Sequence, residues 1–407
     1  MEVLLKGEIN MSMVFHLKAD IGNSTVKFKI EDKVQKVPSV YKRLFKPLTP
    51  SETDIEKCVV NLLDELNVHI TSSSIKRSGQ FLVGKRAMNF AKDTTTMDIE
   101  EGGKHEDDLP IIHLVSIVAA KAIQKDFGET RNLPKTLDVK VNLTTAIPAS
   151  EWKPEHAREL EKRFVEKSHI AIVDVAEEKV TVTVNFEKVT VTREGVPPLY
   201  RMIRAIADSD NKMFDRYVEF CEKELKYSKD EIQNLLTVEV FSTKKILHAD
   251  IGDGTTEYIY TDGLNPIPDS CTGERRGIGH ALLEAISLLQ DKRPGVGELT
   301  RQQFAEILLK TEHKFHKESK EFFYETRFVQ AENILRDIRN KYRNNTASEA
   351  EVIAIYGGGS IALEDDLKNE LVSFCKKNKL ELLWIPAEYA VDMNIEGLDV
   401  LANEVLV

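Results

Sequence analysis

The sequence predicts an α/β protein built from two related halves that face each other across a cleft. Three observations carry that prediction. A strand–turn–strand segment occurs twice, at 15–30 (FHLKAD-IGNST-VKFKI) and at 245–260 (KILHAD-IGDGTT-EYIY), each time with Asp, Ile and Gly in succession. Short apolar runs of strand character alternate along the chain with segments of helical period. A glycine cluster, Gly357-Gly358-Gly359, closes one strand and precedes a helix.

In chain order, MVFHLKAD (13–20) and VKFKIED (26–32) read as strands around the glycine-containing turn IGNST. The segment 51–67 reads as a helix opened by Ser51 and Asp54, with Ile55, Val59, Leu62, Leu63 and Leu66 on its inner side. Residues 79–90 predict a short strand and turn, and 98–108 (DIEEGGKHEDD) an exposed acidic loop. A largely buried helix follows over 109–126, then a strand over 137–148 and a helix over 151–164. The regular Val/Thr alternation of 168–192 predicts a β-hairpin. Residues 201–225 are helical with a break expected at Asp-Ser-Asp-Asn. Strands are predicted at 244–250, 257–263, 351–356 and 381–386, and helices at 273–290, 298–315, 318–343 and 365–378. No long Pro/Gly/Ser linker separates them, so the halves are expected to share a close interface.

Composition narrows the function classes. A chain of 407 residues with 42% hydrophobic and 30% charged residues suits two to three globular units. With 56 basic against 67 acidic residues the net charge is -11, which disfavours unaided nonspecific DNA binding. Cys58, Cys221, Cys271 and Cys375 are scattered, with no CxxC pair for structural zinc. The N-terminal apolar stretch is too interrupted for a secretory signal, and 109–123 is too short to span a bilayer. A cytoplasmic protein with no membrane partner is expected.

The repeated hairpins have a definite chemical reading. Small turn residues let backbone N–H groups approach an anion closely, as a phosphate cradle requires. Aspartates at the strand ends suit Mg²⁺, which keeps part of its water shell and bridges to phosphate. Tight hairpins also use Asp and Gly for turn geometry alone; the pairing of the two segments favours the phosphate reading. The 357–359 turn offers an unobstructed surface to a nucleotide, although it is also a generic strand–helix turn. There is no GxxxxGK[ST] segment, and the turn at 252–254 leads into a strand where a dinucleotide fingerprint demands a helix.

Together, Asp20-Ile-Gly-Asn-Ser-Thr25, Asp250-Ile-Gly-Asp-Gly-Thr-Thr256 and Gly357-Gly-Gly-Ser360 resemble the two phosphate motifs and the adenosine motif of the actin/Hsp70/sugar-kinase superfamily. Within it, LTTAIPASEW (143–152), KVTVTREGVPPLYRM (188–202) and DSCTGERRGIGHALLEAI (269–286) are similar to ParM/StbA-type bacterial actins, the filament-forming ATPases of plasmid partition. The resemblance runs from about 14 to 402 and implies actin-like, ribonuclease H-like duplicated domains around a nucleotide cleft. It implies a first domain over 13–200 with an insertion at about 33–100 and a second over 201–380 with an insertion at about 290–320. Residues 381–407 would return to the first domain. ATP and Mg²⁺ are the implied cofactors.

By the same resemblance Asp20 and Asp250 face the metal and phosphates. Gly22, Asn23, Ser24 and Thr25 wrap the phosphates from one side, and Gly252, Asp253, Gly254, Thr255 and Thr256 from the other. Glu151 orients the attacking water, unless it is simply an acid at a helix N-terminus. Gly357, Gly358 and Gly359 meet the adenosine end. Asp253-Gly254 and Asn23 depart from the residues usual in these motifs.

The implied function is an ATP-hydrolysing filament that assembles from copies of itself and reaches plasmid DNA only through a DNA-binding adaptor protein. The alternatives are a metabolite kinase, a chaperone-type ATPase or a cell-shape actin. No kinase substrate base, no β-rich module after 407 and no good membrane-binding segment is recognisable for these in turn. Several other features have plainer readings. His313 and His316 predict a solvated or interface face in preference to a metal site with Glu312 or Glu318, and Arg275-Arg276 a surface or interdomain salt bridge in preference to a contact with the nucleotide base. The loop at 104–109 is expected to stay solvated, and the apolar stripe from Phe322 to Ile338, Phe328 included, to be largely core.

Overall fold

Alternating or continuous apolar residues in short runs assemble two separate sheets. The structure, a computed structural model, describes residues 13–46, 48, 52–90, 94–97, 103–149 and 151–405. Ser51, the expected cap, and 98–102 of the expected acidic loop lie outside them. The first sheet contains β1 (Met13–Ile21), β2 (Thr25–Lys29), β3 (Gln35–Pro38), β4 (Val40–Leu44), β5 (Asn67–Thr71), β6 (Gly79–Val83), β7 (Thr95–Thr96), β8 (Thr136–Ile147), β9 (His169–Val175) and β10 (Glu178–Arg193). Their order is β3-β2-β1-β8-β10-β9-β5-β6-β4-β7. The second contains β11 (Lys245–Ile251), β12 (Thr256–Asp262), β13 (Asn265–Pro266), β14 (Thr272–Glu274), β15 (Val352–Tyr356) and β16 (Glu381–Trp384). It is ordered β13-β12-β11-β15-β16, with β14 on β12.

The expected duplication is visible in the strand pairing. In both sheets an antiparallel hairpin (β1–β2, β11–β12) lies beside a parallel strand (β8, β15). Ile21 pairs with Val26 and Ile251 with Thr256, so each hairpin closes over a four-residue turn. Gly22 N–H donates to the Thr25 carbonyl at 3.1 Å and Gly252 N–H to the Thr255 carbonyl at 2.9 Å. The turns therefore share one hydrogen-bond pattern as well as one sequence pattern.

Helices cover these sheets because their apolar faces have nowhere else to go. Leu109–Thr130 begins with Pro at its first turn and buries nearly every residue up to Ile123. It packs on β8, β9 and β10 on one side and on the helix Ile55–Val60 on the other, which explains apolar residues all round. Ile55–Val60 is much shorter than expected and is capped by Asp54, whose carboxylate accepts from Lys57 N–H. The chain then turns and enters β5, since Asn67–Thr71 finds strand partners in β6 and β9. In the second half, the helices Val196–Ala207, His316–Asn344 and Glu364–Asn378 carry the core around β11, β12, β15 and β16. A smaller apolar cluster, centred on Phe304, joins the start of that second helix to Ile278–Lys292 and Arg301–Leu309.

Three expectations need correction here. The helix expected at 151–164 starts at Pro154, leaving Glu151 in a turn before it. Lys104 and His105, expected on a solvated loop, are buried. Phe328, expected in the core stripe, is 51% exposed, whereas Ile334, Leu335 and Ile338 are buried. Along the chain, β10 leads through Glu194 and Gly195 into the helix Val196–Ala207, which begins the second half. The last helix before the C-terminal turn, Met393–Val400, comes back against β1 and Val196–Ala207. Lys18 and Lys29 of the first sheet pair with its Asp399 at 2.8 and 2.6 Å. Among the described residues no helix is long and apolar enough to cross a membrane.

Candidate functional site

The two hairpin turns, the end of β8 and the end of β15 open onto one cleft of about 590 Å³ between the sheets. Equivalent strands thus deliver equivalent loops: β8 leads to Pro148 and Glu151, and β15 to Gly357–Gly359. Of the expected site residues, the cleft is lined by Asp20, Gly22, Asn23, Ser24 and Thr25 from the first hairpin and by Asp250, Gly252, Asp253 and Thr255 from the second. Glu151 and all three glycines of 357–359 also line it.

Gly254 and Thr256 do not. The Thr256 hydroxyl donates to the Arg276 carbonyl at 2.6 Å, and the Gly254 carbonyl lies 2.9 Å from His280 Nε2. Both residues hold the turn from behind. Asp253 lines the cleft, yet its carboxylate is engaged by Arg301, and burial raises its pKa more than Arg301 lowers it.

The glycine turn is shaped by contact. Gly357 has φ of +89°, and a Cβ there would run into Asp250 Oδ1 and the Ile251 carbonyl. Gly359 is equally crowded, with Ile251 Cγ2 2.6 Å from a notional Cβ, whereas Gly358 has nothing within 4 Å. The Asp250 hairpin and the glycine turn are therefore in backbone contact, with Gly358 facing open space.

Charges concentrate at the bottom of the cleft. Asp20 pairs with Lys27 at 3.2 Å, and Lys27 also donates to the Val391 carbonyl. Burial opposes the Lys27 charge, but Asp20, Asp250 and Asp392 outweigh it and raise the pKa. Asp250 accepts from Asn394 Nδ2 at 2.7 Å, while burial pushes its carboxyl up to about 6. Lys104 pairs with Glu194 in the cleft. Burial works against both charges; Lys104 nonetheless stays raised through Glu194 and Asp20, and Glu194 is raised despite Lys104.

Glu151 has its own support. Its Oε2 accepts from the Lys104 backbone N–H at 2.8 Å, and its carbonyl lies 2.7 Å from His156 Nδ1. His156 stacks on His105 with ring centres 3.9 Å apart. Because Glu151 precedes the helix, its carboxylate is held by this loop and not by a helix terminus.

Residues 19–196 match the family described as the actin-like proteins' N-terminal domain. The chain has the actin-like fold. Among solved structures the same fold occurs in the actin-like protein Alp7A, with TM-score 0.66, 16% identity and coverage of 96% of both chains. A 15-stranded ParM filament from Clostridium botulinum matches at TM-score 0.62 and 16% identity over 97% of this chain and 100% of that one. ParM of Bacillus thuringiensis, solved with ATP, matches at TM-score 0.58 and 13% identity over 96% and 98%. No curated protein gives a significant match by sequence.

Sequence reasoning missed Lys27, Lys104, Glu194 and Asn394. Lys27 was recoverable, because a four-residue turn after Ile21 sets it directly across from Asp20. The others come from distant segments and left no local signal. Of the adjacent arginines, Arg275 lines the cleft while Arg276 pairs with Asp337 at 2.6 Å. His313 and His316 turn to local partners, Phe315 N–H at 3.2 Å and the Ile307 carbonyl at 3.1 Å.

Proposed function

We propose that the chain is an ATP-dependent, filament-forming actin-like protein that hydrolyses ATP and segregates plasmid DNA through an adaptor bound to a centromere-like site. The observation that carries this reading is the pair of matched hairpins, with Asp20 and Asp250 at their strand ends, facing one cleft with Gly357–Gly359. The solved ParM structures with ATP and in a filament support it by their shared fold. The acidic net charge of -11 supports an adaptor between the chain and DNA.

In this reading 13–200 and 201–380 are the two domains, and 381–407 rejoins the first; the ion pairs of Asp399 with Lys18 and Lys29 support the return. N–H groups of the two turns, other than those of Gly22 and Gly252 that close them, hold phosphate oxygens from opposite sides. Lys27 adds a cation beside Asp20. Gly358 leaves room for the nucleoside, and Ile278, Leu282 and Arg275 offer its base apolar contact and a guanidinium plane. Glu151 orients and polarises the attacking water.

Two carboxylates on one phosphate-sized cleft fit Mg²⁺, which takes one or two protein carboxylates and completes its shell with water and phosphate oxygens. Asp20 and Asp250 would hold it, and it would supply neutralisation of phosphate charge. Among the described residues no group of three or more His, Cys, Asp or Glu side chains is placed to hold a metal ion.

Phosphates bridging the two turns favour closure, and loss of the terminal phosphate weakens it. A head-to-tail contact between closed copies is heterologous and extends without limit. Pelleting and light scattering with ATP, ADP and a nonhydrolysable analogue test this directly. Polymer with ATP or the analogue, less with ADP, and loss of both polymer and hydrolysis in Asp250→Ala are expected. Nucleotide-independent solubility of the wild type, or an unchanged Asp250→Ala variant, would remove the proposal.

A further inference from the structure

The crossover between the two halves runs through Arg193, Glu194 and Gly195, and all three residues are fastened to the cleft wall. Glu194 N–H donates to the Ile147 carbonyl at 2.8 Å, continuing the β10–β8 ladder to its last rung. Gly195 has φ of +85°, and a Cβ there would overlap Ile259 of β12 in the other sheet. The Arg193 guanidinium lies 4.6 Å from the centre of the Trp152 ring, next to Glu151 in sequence. The Glu194 carboxylate enters the cleft and meets Lys104, whose side chain is 4% exposed.

Lys104 has a second attachment. Its side chain takes Glu194, while its main-chain N–H takes the Glu151 carboxylate. The loop that carries it is pinned further by Arg163, which donates to the His105 and Asp107 carbonyls at 2.6 and 2.7 Å. Glu151 is thus held at both ends by groups tied to the crossover: its carboxylate through Lys104 and Glu194, and its backbone neighbour through Trp152 and Arg193.

We propose that Lys104 and Glu194 are positioning residues that set the Glu151 carboxylate according to the state of the crossover between the domains. This rests on the hydrolytic reading of Glu151. A largely buried ion pair keeps its geometry only while both partners stay in register, and breaking it leaves an uncompensated charge. A shift of the crossover on closure moves Glu194, Glu194 carries Lys104, and the Lys104 N–H carries the carboxylate toward or away from the terminal phosphate. Closure and hydrolysis are thereby coupled through one buried pair, with no contact between Lys104 and the water required.

The test compares Lys104→Met, Lys104→Arg and Glu194→Gln with Glu151→Gln and the double variant Lys104→Met/Glu151→Gln. Single-turnover ATP hydrolysis gives the chemical step, and a fluorescent nonhydrolysable ATP analogue gives affinity. Lys104→Met is expected to slow hydrolysis at least about tenfold with affinity changed less than about threefold, and Lys104→Arg to recover most of the rate. Adding Lys104→Met to Glu151→Gln is expected to cost little more than Glu151→Gln alone, since both act through one carboxylate. Affinity falling in step with rate would make Lys104 a phosphate ligand and overturn the proposal. So would independent, multiplying losses in the double variant. Wild-type hydrolysis in Glu151→Gln would instead remove the reading of Glu151 itself. Bound-analogue affinity also reports whether each variant is folded.

Discussion

At the scale of single residues, Gly357 and Gly358 separate backbone geometry from ligand contact. They are adjacent in sequence and differ in surroundings. Gly357 combines a left-handed φ with contacts to Asp250 and Ile251, so Gly357→Ala should lower stability by about 1–3 kcal/mol and disturb the Asp250 carboxylate at once. Gly358 has an ordinary φ and open space, and it opens the helix Gly358–Ala362. Gly358→Ala should leave thermal stability within about 1 kcal/mol, because Ala suits a helix better than Gly. A nucleoside lying on Gly358 would then show as weaker ATP binding in a stably folded variant. Melting curves with and without nucleotide check both outcomes. The glycine triplet was legible as a strand–helix turn, but which glycine is crowded and which faces open space depends on what Ile251 and Asp250 place beside them.

Among elements, Leu109–Thr130 carries the first core. Ile117 is fully buried in that core. Its replacement by Ala should cost about 2–5 kcal/mol, read as a fall in the urea midpoint with unchanged slope. Glu129 on the exposed last turn provides the control, with Glu129→Ala expected within about 0.5 kcal/mol. Helix and strand types were mostly readable from apolar spacing, including the 168–192 hairpin and the strands flanking both Asp-Ile-Gly turns. Errors fell where a segment has two plausible periods. The 51–67 segment has a helical stripe, yet its helix ends at Val60 and the chain turns over 61–65 to enter β5, where β6 and β9 lie alongside. Likewise Lys104 and His105 look solvent-bound in an acidic run, and only Glu194, Glu151 and His156 explain their burial.

For the whole molecule, two buried histidines make stability depend on pH. His113 and His248 are both fully buried, and burial lowers their pKa values to about 4 and about 3 from an ordinary value near 6.5. Below about 6.5 the unfolded chain binds protons that these folded sites refuse, so their contribution to stability is lost as pH falls toward their folded values. Glu194 and Asp250 act in the opposite sense, since their raised pKa values let the folded state take protons first. His248→Phe isolates one term. Relative to wild type, the variant should gain about 2–3 kcal/mol between pH 7.5 and pH 4.5. Denaturant titrations at the two pH values measure that difference, and a pH-independent gap between variant and wild type would contradict the neutral, buried imidazole.

The sequence by itself determined the repeated hairpins, the glycine turn, the α/β alternation and hence the actin-like duplication, because each is written in neighbouring residues and set by local backbone rules. Of the fifteen residues it singled out, thirteen line the cleft, and Gly254 and Thr256 do not. Only the tertiary structure decided which charges meet in the cleft. Lys104 joins Glu194, Asn394 joins Asp250, and Glu151 takes its hydrogen bond from a loop far back in the chain. Such pairs form between groups distant in sequence, and their strength comes from shared burial, which no run of neighbouring residues can encode.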